Sequence, residues 1–425
     1  MSYFRLKNTF FSAYFLALFS DWLKGAYLYK IYSWYGYKES QIAVFYVTSF
    51  ASSAVFGTLT GPLTDMYGRR WVWNMTFETL LENNLSLWRK MSLLFTLTYG
   101  SSALCMISPR FSVLLLGRLF GGVATSLLCS TFESWYLYQH TNTYKLPHDW
   151  VSNTFSVVTF YNGLLAIIAG VISNLLVEDL QFGPLAPFMA VLPVLFVSAC
   201  IMMTRWQENY GDKSQSFKQS LRDGLQVILG HRNVLVLGLV QTCVESTMYI
   251  FVFLWTPVME NGVTDRMPLG WMFSCFMICI MIGSQISTLL SHNGVSDQKI
   301  LYKCLIFMTL SMAVCTLATR TDFCFDTPLC KKVSFFCFLI LETSIGAYFP
   351  VSASLRSKYI PEHCRASIMT WFRLPLNIIT CSILLSTNSS FINADKSIMF
   401  GVCTILCSLG LIMTSKSEIY KQNPH

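Results

Sequence analysis

Long apolar runs, broken by charged residues or by proline and glycine clusters, recur along the chain near residues 9–29, 41–64, 91–108, 111–132, 153–177, 185–203, 234–257, 269–290, 300–318, 333–355, 366–386 and 397–414. Crossing the hydrocarbon core of a bilayer takes a helix of roughly 20 apolar residues, so each run predicts a membrane span. Glycine and proline fall inside several of them, as at Gly121-Gly122, Pro350 and Pro375. Membrane helices tolerate these residues because small side chains let helices approach closely and neighbours satisfy freed backbone groups. The polar stretch from Arg205 to Asn233 separates the sixth run from the seventh. The pattern therefore predicts an all-α membrane protein of twelve transmembrane helices in two halves of six. The first bundle is expected over 1–204, a cytosolic linker over 205–233 and the second bundle over 234–425.

Composition agrees with the pattern. The 425 residues include 30 Lys and Arg and 22 Asp and Glu, a charged fraction of 12%, about half that of a soluble domain. With 53% hydrophobic residues, 33 Phe and 11 Trp, what remains cannot cover a soluble globule. The net charge of +8 does not point to nucleic acid, because the basic residues form no run of five or more. Most of them lie before the first span, in the 65–91 loop, in the linker and in the other segments that face one side. The positive-inside rule then puts both termini in the cytosol. Fifteen cysteines sit mostly inside apolar runs, where they read as small hydrophobic residues rather than a disulfide framework. No paired metal-ligand spacing is present, and the first apolar stretch lacks the short core and small-residue cleavage site of a signal peptide. No cofactor is expected.

After the second run the chain reads Gly61-Pro62-Leu63-Thr64-Asp65-Met66-Tyr67-Gly68-Arg69-Arg70. This resembles the G-x-L-x-D-x-x-G-R-[RK] signature of the major facilitator superfamily. The resemblance implies that Gly61 and Gly68 allow tight helix approach and a sharp turn, and that Asp65, Arg69 and Arg70 belong to a cytosolic latch, with Glu133 nominated as the partner of Arg69. A weak internal repeat accompanies it: a shift of 224 sets Asp21 on Glu245, Arg118 on Glu342 and Gly122 on Gly346. Further segments, Asp21-Trp22-Leu23, Gly117-Arg118-Leu119-Phe120-Gly121-Gly122, Phe132-Glu133-Ser134-Trp135-Tyr136 and Trp371-Phe372-Arg373-Leu374-Pro375, are similar to those of the molybdate-anion transporter family over nearly the whole chain. The resemblance implies the major facilitator fold and uptake of molybdate across the cell membrane by alternating access. Residues 71–88 interrupt the signature, because removing them would join Arg70 to Arg89-Lys90. They are expected to be an insertion or a retained intron.

Charges inside a membrane span cost about 2.5–3.5 kcal/mol on insertion scales, so each must be paired or face a wet cavity. Asp21, Lys24, Arg118, Glu245, Glu342 and Arg373 are the candidates. A tetrahedral dianion needs net positive charge and many donors, which arginine supplies. Arg118 and Arg373, with Lys24 as a weaker third contributor, are therefore the expected substrate residues. A competing reading makes the same charges structural: Asp21 with Lys24, Arg118 with Glu342, and Arg373 with Asp21 or Glu245. Glu245 or Glu342 could also exchange a proton as its surroundings alternate, coupling uptake to protons. In the outer loops, Cys324 and Cys330 are a candidate disulfide and Asn388 a candidate glycosylation site. An orphan carrier of another small anion, or a transporter-like receptor or scaffold that binds without transporting, is the alternative. An enzyme is not expected, since no nucleophile–base pair is visible.

Overall fold

The structure is a computed structural model and describes residues 2–66, 87–147, 149–206, 217–260, 267–320, 328–361, 364–386 and 396–416. Among the described residues it is helical, with no strand. The first half contains α1 (Ser2–Leu23), α2 (Leu28–Trp34), α3 (Glu39–Met66), α4 (Leu87–Cys105), α5 (Phe111–Tyr138), α6 (Asp149–Asn174) and α7 (Ala186–Arg205). The second contains α8 (Phe217–Gly230), α9 (Arg232–Glu260), α10 (Leu269–His292), α11 (Asp297–Ala318), α12 (Pro328–Tyr359), α13 (Arg365–Ser386) and α14 (Lys396–Lys416). Among the described residues, ten helices are long and apolar enough to cross a membrane. The long helices α1 and α4 are not among them; α1 carries Arg5, Lys7 and Asp21 within its length.

The first apolar run, expected as one span over 9–29, is two helices. α1 stops at Leu23, residues 24–27 form a turn, and α2 begins at Leu28. Gly25, a poor helix former, stands in the break, and its N–H bonds back to Trp22 O at 3.0 Å. Breaking a helix frees the carbonyls of its last turn, and side chains from neighbouring helices take them up. Ser173 Oγ donates to Leu23 O at 2.6 Å, and Tyr99 Oη lies 3.2 Å from Ser20 O. Irregular backbone at membrane depth survives where protein completes its hydrogen bonds in this way.

The chain forms two compact units, residues 1–31 with 48–219 and residues 32–47 with 220–425. In the first, α1 packs on α5, α6 and α7, and α4 packs on α5 and α7. In the second, α9 packs on α12, α13 and α14, and α11 packs on α12 and α14. The two neighbour lists correspond helix for helix when α1, α4, α5, α6 and α7 are matched to α9, α11, α12, α13 and α14. Glycine marks the same helix pair in each unit. A side chain at Gly122 of α5 would collide with the backbone oxygen of Ser49 on α3, and one at Gly346 of α12 with the backbone oxygen of Ile280 on α10. Both cores are aromatic: Tyr14 and Phe132 stack at 5.1 Å in the first, and Phe251 meets Phe338 edge-on at 5.0 Å in the second. Buried serines tie helices by donating to backbone carbonyls, as Ser198 does to Ala13 O at 2.9 Å and Ser311 to Cys337 O at 2.6 Å. Such polar contacts and small residues hold helices together where lipid removes the hydrophobic drive.

Candidate substrate site

The break between α1 and α2 presents two charges. Asp21 lies in the last turn of α1 and Lys24 in the turn that follows. Lys24 Nζ is 3.4 Å from Asp21 Oδ1, and the same oxygen accepts a hydrogen bond from Tyr99 Oη of α4 at 2.8 Å. Lys24 Nζ also stands over the Tyr99 ring, 3.9 Å from its centroid. The lysine is thus held between a carboxylate and an aromatic face, and the carboxylate between a cation and a phenol. The expected structural pairing of Asp21 with Lys24 is present.

Arg118 projects from α5 toward the same place. It is buried, at 6% exposure, and lines a small cavity with Lys24, Tyr99 and Ser102. The guanidinium is within electrostatic reach of both Lys24 and Tyr99. The cluster thus brings an ammonium and a guanidinium together beside the Asp21 carboxylate. The cavity is only ≈ 10 Å³, about one water in size, too small for an oxyanion as it stands.

The second unit arranges its charges differently. Glu245 is half-buried on α9, where its carboxylate bonds the Gln241 side chain one turn earlier. Gln241 Oε1 accepts from Arg356 Nη1 of α12 at 3.3 Å. Arg356 and Arg373 both act electrostatically on Glu245, while Arg373 itself is exposed on α13. Tyr348 of α12, also buried, feels both Glu245 and Arg356. Glu342 is buried on α12 at 5% exposure, with no ion-pair partner among the described residues.

Tyr99, Gln241 and Arg356 were not singled out by the sequence reading. Gln241 carried a signal, because four residues separate it from Glu245 and that spacing aligns side chains on a helix. Arg356 reads from sequence as one more basic residue near a helix end, and Tyr99 as one aromatic among many. Of the expected latch, Glu133 is exposed on α5. Gly68, Arg69 and Arg70 lie outside the described residues, as do the side chains of Gly61 and Asp65, most of the 71–88 insertion, Cys324 and Asn388. Cys330 is disulfide-bonded.

Comparison with known proteins places this arrangement. Residues 2–324 match a major facilitator family model described as sugar transporters with 12 TM. A molybdate-anion transporter of Xenopus tropicalis is 37% identical over 95% of this chain and 83% of its own length. Another, from Takifugu rubripes, is 35% identical over 96% of this chain and 86% of its own length. The chain belongs to the molybdate-anion transporter family of the major facilitator superfamily. As a family member it is a multi-pass membrane transporter and not an enzyme. Solved structures agree on the fold: a D-xylose-proton symporter superposes with a TM-score of 0.71 at 10% identity over 98% of both chains. The peptide transporter PepTSo of the POT family gives 0.71 at 12% identity, over 98% of this chain and 97% of its own.

Proposed function

We propose that the protein is a secondary transporter that carries molybdate, or a closely related oxyanion, into the cell by alternating access. It does so as twelve transmembrane helices in two bundles, 1–204 and 234–425, joined by a cytosolic linker over 205–233, with both termini in the cytosol of a cell-membrane protein. The observation that carries the reading is the partly buried cluster of Asp21, Lys24, Tyr99 and Arg118, whose ammonium and guanidinium donors suit a dianion. Relatives that align over nearly all of the chain are named for molybdate, which supports the same substrate class.

In this reading Arg118 binds the anion, because a guanidinium stays ionised and offers a planar array of donors to tetrahedral oxygens. Lys24 contributes charge once the anion competes with Asp21 for it. Tyr99 positions Asp21 so that the lysine is neutralised when the site is empty and released when it fills. Arg373 is a further arginine that contacts the anion. Glu342, buried with no cation beside it among the described residues, and Glu245, tied to Arg356 through Gln241, are the carboxylates that couple uptake to protons. Asp65, Arg69, Arg70 and Glu133 latch the cytosolic side, and Cys324 pairs with Cys330.

Uptake of labelled molybdate into cells expressing the chain, with sulfate and tungstate as competitors, tests the function. Saturable accumulation above untransfected cells, inhibited by tungstate, is the expected result. Saturable association with no accumulation in sealed vesicles would make the protein a receptor instead.

A further inference from the structure

The first unit contains a second polar site, at the opposite end of α1 from the Asp21 cluster. Where α1 begins, α5 gives way to a π turn (Gln139–Thr143) and α7 ends, a cavity of ≈ 740 Å³ opens. Arg5, near the start of α1, and Arg205, the last residue of α7, stand at its rim with exposed side chains. No carboxylate is among its described lining residues.

Its floor is built rather than incidental. Gln139 is the first residue of the π turn, is 1% exposed, and has neither Oε1 nor Nε2 hydrogen-bonded among the described residues. Trp135, one turn earlier and 2% exposed, has its indole N–H likewise unbonded. Trp135 stacks on Trp206 with centroids 4.1 Å apart and planes 10° from parallel, which fixes the indole in place. Buried polar groups are nearly always hydrogen-bonded in native proteins, and an orphaned amide asks for a partner. π turns commonly occur at functional sites.

The geometry points to a binding site for a phosphate-bearing ligand. Two guanidiniums match phosphate oxygens through paired N–H donors, and the Gln139 amide and Trp135 indole add neutral donors below them. The volume lies in the range of small-molecule pockets and exceeds what an inorganic oxyanion fills. Its position at the ends of α1 and α7 is where basic pockets between membrane helices meet lipid headgroups. The phosphate belongs either to such a headgroup or to a soluble phosphorylated molecule.

The full chain reconstituted in phosphatidylcholine nanodiscs distinguishes the two sources. Phosphatidic acid added to the bilayer and inorganic phosphate added to the solution are titrated separately, with the shift in thermal unfolding as the readout. Saturable stabilisation by phosphatidic acid alone assigns a lipid site, and stabilisation by inorganic phosphate assigns a soluble ligand. In either case Arg5→Gln with Arg205→Gln weakens the apparent affinity by about tenfold or more, the effect of losing charged hydrogen bonds. Both arginines are exposed, so the double variant is expected to fold, and unfolding without ligand checks this. Arg5→Lys with Arg205→Lys retains part of the affinity. Failure of both probes to stabilise the wild type, or equal stabilisation of the glutamine variant, would overturn the site.

Discussion

The two units share a helix-packing plan and differ in how they hold charge. In the first, Asp21 and Lys24 lie three residues apart at a helix break, and the Tyr99 ring and hydroxyl close around them, so the charges touch. In the second, Glu245 and Arg356 sit on different helices with the Gln241 amide between them, and Glu342 is buried apart from any cation among the described residues. A cluster that sets ammonium and guanidinium donors together suits an anion. A relay with carboxylates set apart suits exchange of a proton. In the proposed reading, the first unit supplies the main anion contacts, Arg118 and Lys24, and the second supplies Arg373 and the carboxylates for coupling.

The largest effect expected is on Arg118. Arg118→Gln lowers molybdate uptake by about tenfold or more at normal surface expression, the scale of a lost charged hydrogen bond. Arg373→Gln, at an exposed position, lowers it less, and the reverse order would move the substrate site to the second unit. Glu342→Gln sharpens the other side of the comparison. It should abolish the stimulation of uptake by an inward proton gradient in vesicles while exchange of molybdate without a gradient persists; uptake in the wild type that ignores the gradient would remove the coupling role.

Stability measurements separate the units further. Asp21→Asn strands Lys24 beside a neutral side chain, so thermal unfolding should report a loss of about 1–3 kcal/mol, after allowance for the 30% exposure of Asp21. Adding Lys24→Met should recover part of that loss, because removing both members of a pair costs less than removing one. Gly122→Ala and Gly346→Ala should each cost about 1–3 kcal/mol, since the added methyl meets backbone rather than a flexible side chain. Similar costs at the two glycines would support the repeat, and a cost at only one would break it. The smallest effect is expected at Lys396, whose Nζ is 2.9 Å from Glu39 Oε1 and 3.0 Å from Pro257 O. Glu39 is 38% exposed, so Lys396→Met should change stability by less than about 1 kcal/mol.

Helix positions were largely legible in the sequence because the bilayer imposes a length and a polarity on each span. Most runs read from residues 41 to 414 fall on helices within a few residues at either end. The first run was not, since apolarity continues through the turn at 24–27 and only Gly25 signals a stop. The intramembrane charges were legible as a set because charge there is rare. Their partners were not. Tyr99 comes from a helix far along the chain, and Gln241 and Arg356 meet across two helices, which no local spacing encodes. The π turn that carries Gln139 left no sequence signal at all, because its neighbours are as polar as an ordinary helix end.

Equilibrium binding of labelled molybdate to the purified full chain, wild type against Arg118→Gln, tests the central claim most directly. Saturable binding in the wild type that tungstate displaces and that Arg118→Gln loses is the predicted result. Equal binding to both proteins would contradict it.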